Sequence, residues 1–203
     1  MRAGGPALYI AQSIGNLGAS ALVHAGERPA VVRIEITNGS ERGVLVSDPS
    51  PISVPAELNV DATIISTIGS EYSLTALPAS AGLAVLDVQG YARSPSGRAQ
   101  LASSSRIFDV VKATEAELAC LDETFVARQK ERECVVTRGS RGATVWAQGV
   151  GYDIFVRAAK IANPIGAGDR FLAAYTVGRL RRMTPKDAGR FAAEHVLQTF
   201  VGG

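Results

Sequence analysis

Ile161-Ala162-Asn163-Pro164-Ile165-Gly166-Ala167-Gly168-Asp169-Arg170-Phe171 is the stretch on which the reading of this chain turns. Glycines at 166 and 168 let the backbone approach a ligand closely and take torsions that other residues resist. The apolar run that follows predicts a long helix over 169–182. Its first amides lack partners inside the helix and carry the positive end of its dipole, which suits a phosphate or a developing negative charge. A carboxylate beside such an anion site, here Asp169, makes sense where the chemistry needs a base. The combination reads as phosphoryl transfer to a hydroxyl. On turn chemistry alone, a tight strand-to-helix connection capped by Asp169 would account for the same residues.

The remaining sequence predicts the layers around that loop. Short apolar runs at 63–68, 83–88, 107–111 and 134–137 read as buried parallel strands. Helices are expected at 72–81, 115–129 and 185–200, the last with Thr184 as its cap and Pro185 as its first residue. A further helix starts at Pro6 and ends near Leu17-Gly18. Residues 31–37 alternate apolar and polar, and Asn38-Gly39 turns them toward 43–46, a hairpin. A second hairpin joins 143–147 to 152–156 around 148–151. Residues 92–105, rich in Ser, Arg and Gly, read as a loop. Strands alternating with helices imply an α/β layered domain with a mostly parallel central sheet and right-handed crossovers. No linker divides it, so 1–203 is expected to be one domain.

Composition narrows the function classes. With 203 residues and 46% hydrophobic ones, the chain can bury a sizeable core. A net charge of +2 demands neither nucleic acid nor an anionic membrane, and the basic cluster Arg179, Arg181 and Arg182 reads as the solvated end of a helix. No apolar stretch is long enough to span a bilayer, and the start lacks a signal-peptide pattern, so a cytoplasmic protein is expected. Cys120 and Cys134 lack metal-ligand neighbours and read as small buried residues. His24 and His195 have no ligand spacing either; His195 is expected at a surface or edge. Trp146 is expected in the core.

Four stretches, in order, resemble the ribokinase-like (PfkB-type) carbohydrate kinases. Residues 163–169 are similar to that family's loop ending in Gly-Ala-Gly-Asp. Residues 112–118, Lys-Ala-Thr-Glu-Ala-Glu-Leu, resemble its Asn-x-x-Glu motif. Residues 135–143, Val-Val-Thr-Arg-Gly-Ser-Arg-Gly-Ala, resemble its nucleotide-side turn. Gly4-Gly5-Pro6-Ala7 resembles its substrate-side diglycine. The resemblance implies a three-layer ribokinase-like fold with a reduced β lid at 31–46.

It also implies an ATP- and Mg2+-dependent kinase of a small polyol, sugar or nucleoside, with Asp169 as the base and the amides of Gly166, Ala167 and Gly168 at the transferring phosphoryl group. Glu117 would help hold magnesium through water; an ordinary first-turn glutamate is the competing reading. Thr137, Gly139, Gly142 and Thr114 would face ATP, with Arg138 and Arg141 adding charge. Gly4, Gly5 and Tyr9 would meet the acceptor, as would Gln89 and Arg93 in a stretch, 86–93, similar to the inositol-kinase-like branch.

The departures are specific. Thr114 stands where the family has asparagine. Asn163 and Ile165 replace an acid and a threonine, which argues against a monovalent-cation site. Met1-Arg2-Ala3 leads straight into the diglycine, so the family's opening strand and its aspartate are expected to be missing. These leave a second reading open, a weakly active or inactive nucleotide- or metabolite-binding protein on the same fold. The exposed edge of the lid hairpin makes a homodimer plausible. A dinucleotide-binding domain is disfavoured, because Gly166-x-Gly168 lacks the third glycine and a later ribose-binding acid.

Overall fold

Four parallel strands followed by two antiparallel ones form the central sheet: β3 (Ala62–Ser66), β4 (Leu83–Asp87), β5 (Val110–Thr114), β6 (Glu133–Thr137), β7 (Ala143–Ala147) and β8 (Val150–Ile154), in that spatial order. A computed structural model describes residues 5–28, 30–37, 40–47, 49–76, 78, 82–104, 108–155 and 164–201. A separate antiparallel pair, β1 (Val31–Thr37) and β2 (Ser40–Ser47), forms the small lid. The turn residues Asn38 and Gly39 lie outside the described residues.

The flat hydrophobicity of the parallel strands has a simple cause: both faces are covered. On one face Ala84, Leu86, Val111 and Ala113 pack with Tyr91, Leu101, Phe108 and Phe125. On the other, Val85, Val110, Val135, Val145 and Ile154 pack against α6 (Ala167–Leu180) and α7 (Pro185–Val201) through Leu172, Tyr175 and Ala192. The period-2 alternation of 84 and 86 against 85 is the strand's own geometry. Helix α1 (Pro6–Asn16) leans on α6. The β7–β8 turn is Gln148-Gly149 with φ of 52° and 74°, the paired positive torsions of a two-residue hairpin. Thr184 does cap α7, its Oγ1 accepting from the Asp187 amide at 3.2 Å.

Several expectations are corrected. Of the helix expected at 72–81, the described part holds a short 3-10 turn, Leu74–Ala76, ahead of Pro78, which cannot donate and disfavours helical torsions before it; residues 77 and 79–81 lie outside the described residues. The loop expected at 92–105 is largely helical: α2 (Gln89–Ala92) is followed by α3 (Pro95–Ser103). Ser94 accepts from the Gly97 amide at 3.0 Å, and Pro95 opens the helix. The single helix expected at 115–129 is two, α4 (Glu115–Leu118) and α5 (Glu123–Arg132), because Asp122 caps the second by accepting from the Phe125 amide. The strand expected at 107–111 runs from Val110 to Thr114, with Phe108 and Asp109 outside it and residue 107 outside the described residues.

Side chains depart too. Cys120 is exposed, whereas Cys134 is buried and burial pushes its thiol up to about 12. Trp146 is half-buried under Lys130, whose Nζ lies 4.6 Å from the ring. Arg179 is not simply solvated: it donates to Glu133, which is buried between it and the Tyr175 hydroxyl. His195 is 8% exposed, and burial, then the Arg170 charge, hold it below the usual histidine range.

Candidate active site

The carboxyl ends of β4, β5 and β6 meet the first turn of α6. In an open parallel sheet this is the end where ligands bind. Asp87 closes β4 and is the register partner of Lys112 in β5. Both side chains are buried, 0% and 4% exposed, and Lys112 Nζ donates to Asp87 Oδ2 at 2.9 Å. The other carboxylate oxygen of Asp87 accepts from the Gln89 amide at 3.1 Å. One strand further on, Thr114 pairs in register with Thr137.

The loop before α6 comes down onto this pair. Gly166, the residue that caps α6, sits at φ 81°, a torsion only glycine takes cheaply. The Ala167 amide donates back to the Pro164 carbonyl, and the Arg170 amide to the Gly166 carbonyl. The α6 amides of Ala167, Gly168 and Asp169 therefore crown the helix. Tyr9 of α1 lies flat against Gly166: a Cβ there would come within 2.6 Å of the ring. The Arg170 guanidinium stacks on the same ring at 4.7 Å. Gly168 is explained from below. A Cβ at that position would stand 3.2 Å from Lys112 Nζ, so glycine lets the loop settle over the buried ammonium.

Asp169 occupies the first turn of α6 above this pair. Burial raises its titration most, and the Asp87 charge adds to that; Lys112, Arg170 and Arg93 pull the other way, and the carboxyl ends at about 7. Burial works against the Lys112 charge, but Asp87, Glu117 and Asp169 outweigh it and hold the ammonium above the usual lysine value. A carboxyl poised near neutrality beside the amides of a helix start can exchange a proton with a hydroxyl while such amides take up negative charge.

The other expected site residues fall into four places. Thr114 caps α4 and forms a full capping box with Glu117: Thr114 Oγ1 accepts from the Glu117 amide at 3.2 Å, and Glu117 Oε2 accepts from the Thr114 amide at 2.8 Å. The structural role weighed for Glu117 is thus present, and its charge also reaches Lys112. At the end of β6, Thr137 donates to the Ala113 carbonyl at 3.4 Å, and Gly139 and Gly142, both at positive φ, bracket a 3-10 turn. Arg138 is tied to Asp153 and Arg141 to Glu115, so both arginines of that turn are engaged within the protein. Near α2, Gln89 is half-buried and Arg93 donates to the Ile68 carbonyl at 2.7 Å, within electrostatic reach of Asp169. Gly5 precedes α1 at φ 106°. Gly4 and Asn163 lie outside the described residues.

Asp87 and Lys112 were not among the expected site residues. The signal was available: each is a charge inside an otherwise apolar strand run, and buried charges are kept only when paired.

A family model described as pfkB family carbohydrate kinase matches residues 20–195. No curated protein matches the chain in sequence. Among solved structures, it is similar to a Burkholderia thailandensis nucleoside kinase in complex with inosine, at TM-score 0.74 and 18% identity, over 98% of this chain and 79% of that one. It is similar to Arabidopsis thaliana ribokinase complexed with ribose and ATP at TM-score 0.71 and 18% identity, over 98% and 81%. A pyrophosphate-dependent kinase in the ribokinase family, complexed with a pyrophosphate analog and myo-inositol, is similar at TM-score 0.70 and 18% identity, over 93% and 74%. At this identity the likeness speaks for the fold. Among the described residues, no helix is long and apolar enough to cross a membrane.

Proposed function

The chain belongs to the pfkB family of carbohydrate kinases, and on that footing we propose that it transfers the γ-phosphoryl group of ATP to a hydroxyl of a small polyol, sugar or nucleoside. The observation that carries the reading is Asp169, a carboxyl drawn up to about 7 in the first turn of α6, beside that helix's first-turn amides and over the Asp87–Lys112 pair. In this reading Asp169 takes the hydroxyl proton as the acceptor oxygen bonds to the γ-phosphorus. The bond from that phosphorus to the bridging oxygen breaks, and ADP leaves. The amides of Gly166 and Gly168 take up the charge on the transferring group, with the Ala167 amide shared between that group and the Pro164 carbonyl it already meets.

The acceptor would lie on the side of Gly4, Gly5, Tyr9, Gln89 and Arg93, with Thr137, Gly139, Gly142 and Thr114 on the nucleotide side. The close packing of Tyr9 on Gly166 supports a role for its ring in shaping the loop as well.

The residues present fit a magnesium ion of the kind that keeps most of its waters and binds substrate phosphates. Such an ion needs one or two carboxylates rather than a protein cage. Among the described residues no three His, Cys, Asp or Glu side chains gather into a cage. Glu117 spends one oxygen on the Thr114 amide and retains a second for a bound water. Bound there, magnesium would neutralise charge on the phosphates.

The second reading, a binding protein with little turnover, draws on Asn163 and Ile165 in place of the family's acid and threonine. The test is donor consumption by the purified chain with magnesium against inositols, pentoses, hexoses and nucleosides, with ATP and pyrophosphate as alternative donors. The proposal expects an acceptor-dependent signal that disappears in Asp169→Asn. ATP binding without consumption across the panel favours the binding protein.

A further inference from the structure

We propose that the buried Asp87–Lys112 ion pair is a positioning device for Asp169, two opposed charges beneath the loop that fix the place and the charge state of its carboxylate. The inference rests on the reading of Asp169 as the base. Its first support is geometric. The two residues are register partners on adjacent parallel strands, so the sheet itself holds them together. Both oxygens of Asp87 are engaged, one by Lys112 Nζ at 2.9 Å and one by the Gln89 amide at 3.1 Å. Lys112 is 4% exposed and its ammonium fills the space directly beneath Gly168. The loop that presents Asp169 therefore rests on the pair.

Stability does not account for such an arrangement. A buried ion pair gains little over an apolar pair of the same volume, and its cost in desolvation is large. Burying one beneath a first-turn carboxylate makes physical sense if its field is used. The charged groups facing Asp169 are Asp87 from β4, Lys112 from β5, Arg170 from its own helix and Arg93 from beyond α2. Glu117 of α4 acts on Lys112, and Tyr9 of α1 covers Gly166 and Arg170. Of these, Asp87 alone opposes the Asp169 charge directly, whereas Lys112 favours it. The pair acts as a balance: Asp87 opposes the Asp169 charge and Lys112 favours it, so removing either tips Asp169 in a defined direction.

The test reads Asp169 itself rather than turnover. The chain is labelled with 13C at the aspartate side-chain carboxyl, and the Asp169 resonance is identified by its loss in Asp169→Asn. Its titration midpoint is followed in the wild type, Asp87→Asn, Lys112→Met and the double variant. The midpoint is expected to fall by about one pH unit in Asp87→Asn and to rise by a similar amount in Lys112→Met, and the double variant should return close to wild type. Should Lys112→Met fail to fold around an unpaired Asp87, the double variant against Asp87→Asn isolates the lysine, with the midpoint rising between them. A midpoint unmoved in all variants, or moved the same way by both single changes, overturns the proposal.

Where an acceptor is known, the acid limb of kcat/KM should follow the same midpoints while KM for the acceptor holds. A silent kinase assay with the shifts intact would count against the kinase reading and leave the positioning role standing.

Discussion

Replacing Asp169 by asparagine should stabilise the protein at alkaline pH while removing the proposed base. The wild-type carboxyl titrates at about 7 in the folded protein against an ordinary 3.8. Its folded value is raised, so the neutral form is favoured by folding: the associated stability is fully present below the unfolded value and is lost as pH rises through about 7. Each pH unit of that interval costs about 1.4 kcal/mol, so a fully charged Asp169 costs the fold roughly 4 kcal/mol. Water near the mouth of the site lowers this, and about 2–4 kcal/mol is the expected range. Asparagine is of the same size and stays neutral, so it avoids the cost. Urea unfolding of both proteins between pH 4 and 9 measures the difference directly. The curves should nearly coincide at pH 4, diverge between 4 and 7, and run parallel above, with the variant more stable. A difference independent of pH, or a variant less stable at pH 9, would refute the account of Asp169 as a buried carboxyl held against its charge.

Other parts of the structure respond in distinct ways. Arg179→Met leaves Glu133 buried with, among the described residues, the Tyr175 hydroxyl at 2.7 Å as its side-chain partner; a loss of about 2–4 kcal/mol is expected in denaturation, larger at pH 8 than at pH 5 because Glu133 must then carry an unpaired charge. Gly166→Ala meets both a φ of 81° and the Tyr9 ring, and should cost about 1–3 kcal/mol; adding Tyr9→Ala should recover the clash but not the torsion, so a double-mutant cycle gives a coupling of about 1 kcal/mol. Glu117→Gln keeps the capping box, which glutamine also supports, so melting should change little while the magnesium concentration for half-maximal activity rises several-fold. Thr114→Ala should do the reverse, losing about 1 kcal/mol of stability with a smaller effect on the magnesium requirement.

Much of this architecture was readable from local signals. The alternation and flat hydrophobicity of the strand runs follow from a sheet covered on both faces, and several turns carry glycine at positive φ, as at Gly149. The loop before α6 was legible because Gly166, Gly168 and Asp169 announce a helix start with an unusual demand on space.

What was missed lay in competition between local signals. Pro78 stops a helix that the apolar pattern of 72–81 favours, and Ser94-Pro95 starts one in a stretch too polar to suggest it. Its apolar anchor is Leu101, 1% exposed. Asp122 divides an otherwise continuous helical run by offering a better cap than a continuation. His195 and Arg179 read as surface residues because their partners and cover come from distant parts of the chain. Asp87 and Lys112 stand 25 residues apart and become a pair only through strand register. Composition and periodicity carry no trace of such a register.

The most direct test of the central claim is 31P NMR of the purified chain with ATP, magnesium and a responsive acceptor, run beside Asp169→Asn with ATP affinity measured by calorimetry in both. The account predicts a growing phosphomonoester resonance matched by ADP in the wild type, and none in the variant, with ATP affinity nearly equal. Phosphoryl transfer by Asp169→Asn at the wild-type rate, or loss of ATP binding together with activity, would contradict it.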